Sequence, residues 1–187
     1  MNTYDFDKTI YVRDSSVDFW LYCLRRHPGL LLPTLPGSLR AALRYRRGRI
    51  GTKELKEQLF SFLPGLDAQA EAERFWKAHR EGIGAWYRAK RRPDDLILSA
   101  SPEFLLRPIA RELGVRLIAT PMDPATGRIL GLNCHDEEKV RRFTAEFPGA
   151  HSEDFHSDSL SDAPMARISD RAFLVRRGRL SPWPTDR

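Results

Sequence analysis

Asp5 and Asp7 stand two residues apart in Asp5-Phe6-Asp7-Lys8-Thr9, close behind the start of the chain. In a strand, residues i and i+2 project from the same side. Past the strand end the chain turns, so the second carboxylate can swing toward whatever the first one attacks. One can then act as nucleophile and the other as acid and base, with a bound cation screening the pair. On its own the pentapeptide fits an exposed acidic turn equally well, and its weight depends on what lies downstream.

Three more groups follow in order. Leu96-Ile97-Leu98-Ser99-Ala100-Ser101 is an apolar run ending in hydroxyls, with Pro102-Glu103-Phe104 opening a helix. Ser101 is expected as N-cap and Pro102 as first helical residue. The Ser99 hydroxyl and backbone N–H groups around Ala100 then lie at a strand end beside a helix N-terminus, where phosphate binds well. Lys139 comes next, three residues after Asp136, an expected N-cap. That puts the lysine in a first helical turn, although with Arg141 and Arg142 alongside it also reads as a solvated lysine. Last, Phe155-His156-Ser157-Asp158-Ser159-Leu160-Ser161-Asp162 is a short strand running into two acids four residues apart. Those acids also fit an N-cap and a first-turn partner for a helix dipole.

Taken as a set, the four groups resemble the haloacid dehalogenase (HAD) superfamily, in particular its phosphoserine-phosphatase-like branch, over nearly the whole chain. The resemblance implies that Asp5 is a nucleophile forming an aspartyl-phosphate. Asp7 would protonate the leaving oxygen and then activate water. Thr9, Ser99, Ala100 and Lys139 would hold the phosphoryl group. Asp158 would ligate Mg²⁺ with the Asp5 carboxylate and the Asp7 main-chain carbonyl, and Asp162 would support that metal site from behind or through water. Asp14 lies about where phosphoserine phosphatases place an acid that grips the substrate amine; as an N-cap for a helix starting near Ser15 it is the plainer assignment.

The residue types suit that chemistry. A carboxylate attacks a phosphate dianion poorly because like charges repel; a divalent cation and an opposing lysine remove the repulsion and orient in-line attack. Magnesium prefers hard oxygen ligands and retains waters, which carboxylates at strand ends accommodate. Asp7 must be protonated when the leaving group departs, so a raised pKa in a partly buried site is expected. The acid at position 7 also argues against carbon–halogen chemistry, since the dehalogenases of the superfamily lack it. Lys8 departs from the pattern, standing where many relatives carry glycine or another small residue, and the strand before Asp5 has only Met1 to Tyr4 to draw on. Asp7-Lys8-Thr9 also resembles the phosphorylation motif of cation-pumping ATPases, but no segment here is long and apolar enough to span a bilayer.

These residues need a scaffold, and the chain alternates accordingly. Strands are expected to end at Asp5 and to cover 95–99, 115–120, 153–156 and 172–175, with helices over 102–113, 137–147 and 162–168 and a hairpin at 120–135. Alternation of this kind predicts an α/β fold, a Rossmann-like parallel sheet flanked by helices, with active residues at the carboxyl ends of strands. Helix-like chain from about 16 to 92 is broken by His27-Pro28-Gly29, Pro33, Pro36-Gly37, Gly48, Gly51 and Pro64-Gly65. By resemblance it is a helical cap inserted after the first strand, giving a core of 1–15 and 93–187 and a cap of 16–92; a plain structural layer is the alternative. The 187 residues, 41% hydrophobic, can bury one substantial core. Two distant cysteines, Cys23 and Cys134, suit a reduced, cytoplasmic chain, with Cys134 near the site by its closeness to Lys139, and no cleavable leader is expected.

Substrate choice is less legible. A small phosphorylated metabolite of the phosphoserine kind is the first expectation. The second comes from the apolar stretch 28–36, flanked by Arg25, Arg26, Arg40, Arg44, Arg46, Arg47, Arg49 and Lys53 with no acid among them. Such a segment can rest on an anionic membrane or receive a lipid headgroup, and it faintly resembles the cap of bacterial phosphatidylglycerophosphate phosphatases; a solvated basic face is the plainer reading. The net charge of +6 also admits a non-catalytic nucleic-acid binder, but no nucleic-acid motif is present and no nucleic-acid partner is expected. Trp76, Trp86 and Trp183 read as packing residues. His151, Glu153, Asp154, His156 and Asp158 place five potential metal ligands in eight residues, with ordinary polar roles the simpler account.

Overall fold

The computed structural model describes residues 1–184. Its frame is a six-stranded sheet in the order β3-β2-β1-β4-β5-β6. The strands are β1 (Thr3–Tyr4), β2 (Leu96–Pro102), β3 (Arg116–Thr120), β4 (Ser152–Ser157), β5 (Ser169–Arg176) and β6 (Arg179–Pro182). β1 to β5 run parallel, and β6 returns antiparallel along β5. After β1 the chain fills one side of the sheet and then the other, which opens a crevice at the strand ends beside β1. The two-residue β1 survives because it is paired on both sides, Thr3 opposite both Leu96 and Phe155.

Helices α1 (Ser15–Arg26), α2 (Pro28–Leu31), α3 (Leu35–Arg46), α4 (Thr52–Leu59), α5 (Ala68–His79) and α6 (Ala85–Lys90) lie between β1 and β2. Asp14 caps α1 by accepting from the Val17 N–H at 3.0 Å, as expected, and Asp67 caps α5 the same way through Ala70. Pro28 and Pro36 do not break the chain as read; each sits in the first turn of a helix, where its missing N–H costs nothing. Further along come α7 (Glu103–Leu113), α8 (Glu137–Glu146) and α9 (Ala163–Arg167). Gly114 ends α7 in the left-handed region, φ 65°, as its sequence position suggested.

One apolar cluster runs through Phe6, Phe19, Phe60, Phe75, Trp76, Phe104 and Leu105, joining α1, α4 and α5 to the sheet and α7. Trp76 anchors it: its indole N–H donates to the Leu105 carbonyl at 2.6 Å while the ring stands edge-on to Phe6 and Tyr11. A second cluster on the opposite face packs Leu96, Leu98, Phe143, Phe155 and Met165, with Trp183 against its edge. Trp86 packs against Tyr4 and His156, so the three tryptophans singled out have packing roles.

Several local readings need correction. β2 runs on through Ser101 to Pro102 and α7 starts at Glu103, so Ser101 is no N-cap and Pro102 is not the first helical residue. Asp136 precedes α8 with φ 55° and its side chain caps nothing. The hairpin over 120–135 shrinks to one bridge, Met122 to Ile129, around the Asp123–Gly127 turn. Its tip is fixed instead by contact with α4: a Cβ on Gly127 would lie 2.4 Å from the Phe60 carbonyl oxygen, at φ 72°. The last strand is longer than read, and β6 follows a turn through Arg177 and Gly178, both at positive φ.

Candidate active site

The Asp5 N–H donates to the His156 carbonyl at 2.8 Å, which locks the end of β1 beside the end of β4 two residues before Asp158. Asp5, Asp7, Lys8, Asp14, Ser99, Ala100, Ser101, Lys139, Asp158 and Asp162 line one cavity of about 410 Å³. Four separate stretches of sequence therefore meet at one point. Thr9 stands just behind it, buried, its hydroxyl 3.5 Å from Asp5 Oδ2.

Lys139 is not solvated. Its ammonium is buried, 2.7 Å from both Asp5 Oδ1 and Asp162 Oδ2. Its neighbours do not compete for the same acids: Glu138, one residue earlier, pairs with Arg141 and Arg142. Burial alone would lower the Lys139 pKa, but the two carboxylates outweigh it and hold the lysine charged. Asp162 is fixed further by the Ser157 hydroxyl at 2.7 Å, so it positions the lysine through one oxygen; its other oxygen, Oδ1, is buried without a hydrogen-bond partner.

Asp7 is held differently. Its Oδ1 accepts from the Ser15 N–H at 2.7 Å and its Oδ2 from the Ser101 hydroxyl at 2.5 Å. Burial, with the nearby Asp14 charge, pushes its pKa up to about 6 despite those donors. Burial likewise pushes Asp5 up to about 7 against the pull of Lys139, with the Asp162 charge adding to the rise. Ser99 Oγ accepts the Ser101 N–H at 3.1 Å, leaving its own hydrogen free to donate. Lys8 is exposed and takes φ 57°, the left-handed region that costs any residue but glycine. Asp14 reaches the cavity edge while serving as the α1 cap.

Sequence reading missed Lys56. From α4 its ammonium reaches across to the Ala100 carbonyl at 2.5 Å and Asn133 Oδ1 at 2.9 Å, and burial lowers its pKa to about 8. The Thr120 hydroxyl donates to the same Ala100 carbonyl and accepts the Cys134 N–H, so Cys134 does lie against the site; its thiol is pushed up to about 11 by burial. Both cysteines are free and buried. Ser101 was also missed in its site role, although its spacing of two from Ser99 on one strand was a usable signal.

The five potential ligands around His156 disperse. His151 pairs with Asp170, Glu153 with Arg92 and the N-terminus, and Asp154 with Arg171, while His156 stacks between Tyr4 and Phe173. Among the described residues no three acidic, histidine or cysteine side chains form a metal cage. What faces the cavity is an excess of hard oxygen: Asp5 and Asp158, whose pKa values are raised by burial, and the unpartnered Asp162 Oδ1 behind them. Two side-chain carboxylates and main-chain oxygen fit a cation that keeps several of its waters, as magnesium does.

The haloacid dehalogenase-like hydrolase model matches residues 3–167. Protein CicA of Caulobacter vibrioides is 31% identical over 197 residues, spanning 94% of this chain and 86% of that protein. A protein of unknown function from Bordetella pertussis Tohama I superposes with a TM-score of 0.75 at 25% identity, over 92% of this chain and 87% of its own. A substrate-bound phosphoserine phosphatase shares the fold at a TM-score of 0.60 and 13% identity, over 91% and 82% of the two chains. With residues 3–167 matched by the family model, the chain belongs to the haloacid dehalogenase-like hydrolases.

Proposed function

We propose that the chain is a Mg²⁺-dependent phosphomonoester phosphatase working through an aspartyl-phosphate on Asp5. The observation that carries this reading is Lys139 held between Asp5 and Asp162 in the cavity that also contains Asp7, Ser99 and Asp158. The Lys139 bond fixes one oxygen of Asp5, and Oδ2 keeps only the long contact with Thr9, free to attack phosphorus. As the Asp5 O–P bond forms, the bond from phosphorus to the alcohol oxygen breaks, and Asp7 delivers its proton to that oxygen. Asp7, now ionised, takes a proton from water as the water attacks the acyl phosphate, releasing inorganic phosphate and restoring Asp5. Ser99 and Lys139 donate to the phosphoryl oxygens throughout. Asp5, Asp158 and the Asp7 main chain would hold Mg²⁺, which when bound neutralises charge between nucleophile and phosphate.

A pKa near 6 suits Asp7 to both giving and taking a proton near neutral pH. A cavity of about 410 Å³ suits a small phosphorylated group, a metabolite or a headgroup. The test is Mg²⁺-dependent phosphate release from an aryl phosphate by wild type and by Asp5→Asn, with acid quench to trap phosphate on the protein. Turnover and trapped label in wild type, both lost in Asp5→Asn, support the reading; equal turnover in the two proteins overturns it.

A further inference from the structure

The α3–α4 hairpin forms one wall of the site. Its inner side supplies Tyr45, Thr52, Leu55, Lys56 and Leu59 to the cavity that holds Asp5. Its outer side, on α3, is of another character. At about 100° per residue, Leu39 and Leu43 form a strip, with Arg46 on one side and Arg40, Arg44 and Arg47 on the other, all within an arc of about 160°. Leu39 is 70% exposed and Leu43 47%, while Ser38 and Ala41 on the opposite side are buried.

The charge on this face is unbalanced. Arg40, Arg44, Arg46, Arg47 and Arg49 pair with no carboxylate and donate no side-chain hydrogen bond among the described residues, and no acid occurs between Asp18 and Glu54. Other arginines, among them Arg13, Arg92, Arg107, Arg141 and Arg171, each hold an acid, so what marks this face is five unpaired arginines close together on and just after one helix. Next to the hairpin, Lys53 binds the Gly131 carbonyl at 3.0 Å and so fixes a loop whose Leu130 and Leu132 are each more than 60% exposed.

We propose that the outer face of α3 docks on an anionic lipid bilayer. Leucines would enter the acyl boundary while the arginines meet lipid phosphates, the division of labour of an interfacial helix. The 12-residue α3 is too short to span, and no helix among the described residues is long and apolar enough to cross a membrane. A second copy of the chain is a poor occupant because two such faces repel. Nucleic acid is also poor, because the strip offers leucine where bases would need aromatic platforms. Joined to the phosphatase reading, on which this extension rests, the docking would bring the site to phosphomonoesters concentrated at a bilayer.

Co-sedimentation tests the docking without reference to turnover, using vesicles of phosphatidylcholine alone or with about one third phosphatidylglycerol. The whole chain should bind the anionic vesicles and not the neutral ones, and high salt should release it. Arg40→Gln/Arg44→Gln/Arg47→Gln should lower the partition coefficient about fivefold per arginine, roughly 100-fold in all. Leu39→Ser/Leu43→Ser should lower it by a comparable factor with an unchanged thermal melt. Equal binding to both vesicle types, undiminished binding by both variants, or preferential capture by an RNA oligomer that displaces the vesicles would overturn the docking. Vesicle binding with no phosphate release from an aryl phosphate would leave the docking standing and remove the phosphatase reading instead.

Discussion

The Ser101 hydroxyl donates to Asp7 Oδ2 at 2.5 Å, tying the second acid of the N-terminal pair to the end of β2. The bond stabilises the ionised carboxylate and so restrains the rise that burial imposes on Asp7. Ser101→Ala should therefore raise the Asp7 pKa further. The step that needs ionised Asp7 to deprotonate water then requires a higher pH, and the acid limb of the kcat profile should move upward. Steady-state rates between pH 5 and 8 check this; an unmoved limb with lower kcat at every pH would make Ser101 a packing residue only.

Lys139 lies between two buried carboxylates, and Lys139→Met leaves both without a cation. At pH 8 the loss should destabilise the protein by about 3–5 kcal/mol, because an uncompensated buried charge remains. Lowering the pH protonates the orphaned acids and should recover part of that loss. Denaturant melts at pH 5 and pH 8 measure the difference. Phosphate release should fall about 10²–10³-fold, the usual consequence of removing a donor to a developing oxyanion.

Lys56 is the one polar side chain of α4 that crosses to both Ala100 and Asn133. Lys56→Met removes two charged hydrogen bonds and should lower stability by about 1.5–3 kcal/mol. It should also raise KM more than it lowers kcat, since the cavity wall loses its tie to β2 while Asp5 and Asp7 are untouched. With its pKa lowered to about 8 by burial, the lysine is charged below that pH and neutral above it. Wild-type kcat/KM should thus fall above pH 8, and the Lys56→Met profile should lack that limb.

How far the site could be read ahead of the structure depended on whether each role was local. Ser99 belongs to the apolar run Leu96-Ile97-Leu98, while Asp5 and Asp158 follow shorter, more polar strands, and a parallel sheet carries all three ends to one edge. Lys139 needed only a helix start. Lys56 had no such marker, because its role depends on which side of α4 meets Asn133, 77 residues away. Ser101 was misread for a different reason: Ser-Pro-Glu satisfies every rule of a helix start, yet pairing with β3 carries the strand on to Pro102. β6 escaped because its turn places Arg177 at φ 51°, where asparagine or aspartate would have been the signal.

His156 offers a prediction independent of any catalytic assignment. It is buried, stacked between Tyr4 at 4.6 Å and Phe173 at 5.0 Å, with Nδ1 unpartnered. Burial lowers its pKa to about 4, against 6.5 for the free side chain. Between those values the unfolded chain binds a proton that the folded chain refuses, so stability is full above pH 6.5 and is lost as pH falls toward 4. The difference of 2.5 pKa units corresponds to about 3 kcal/mol at the acid end. His156→Phe keeps the aromatic stack and has no proton to refuse. Other acid-sensitive groups, Glu138 among them, titrate alike in both proteins, so the comparison isolates this one residue. The stability gap between variant and wild type, from urea melts, should widen steadily from pH 7 to pH 4.5; a gap that stays constant would show that His156 takes up its proton inside the fold.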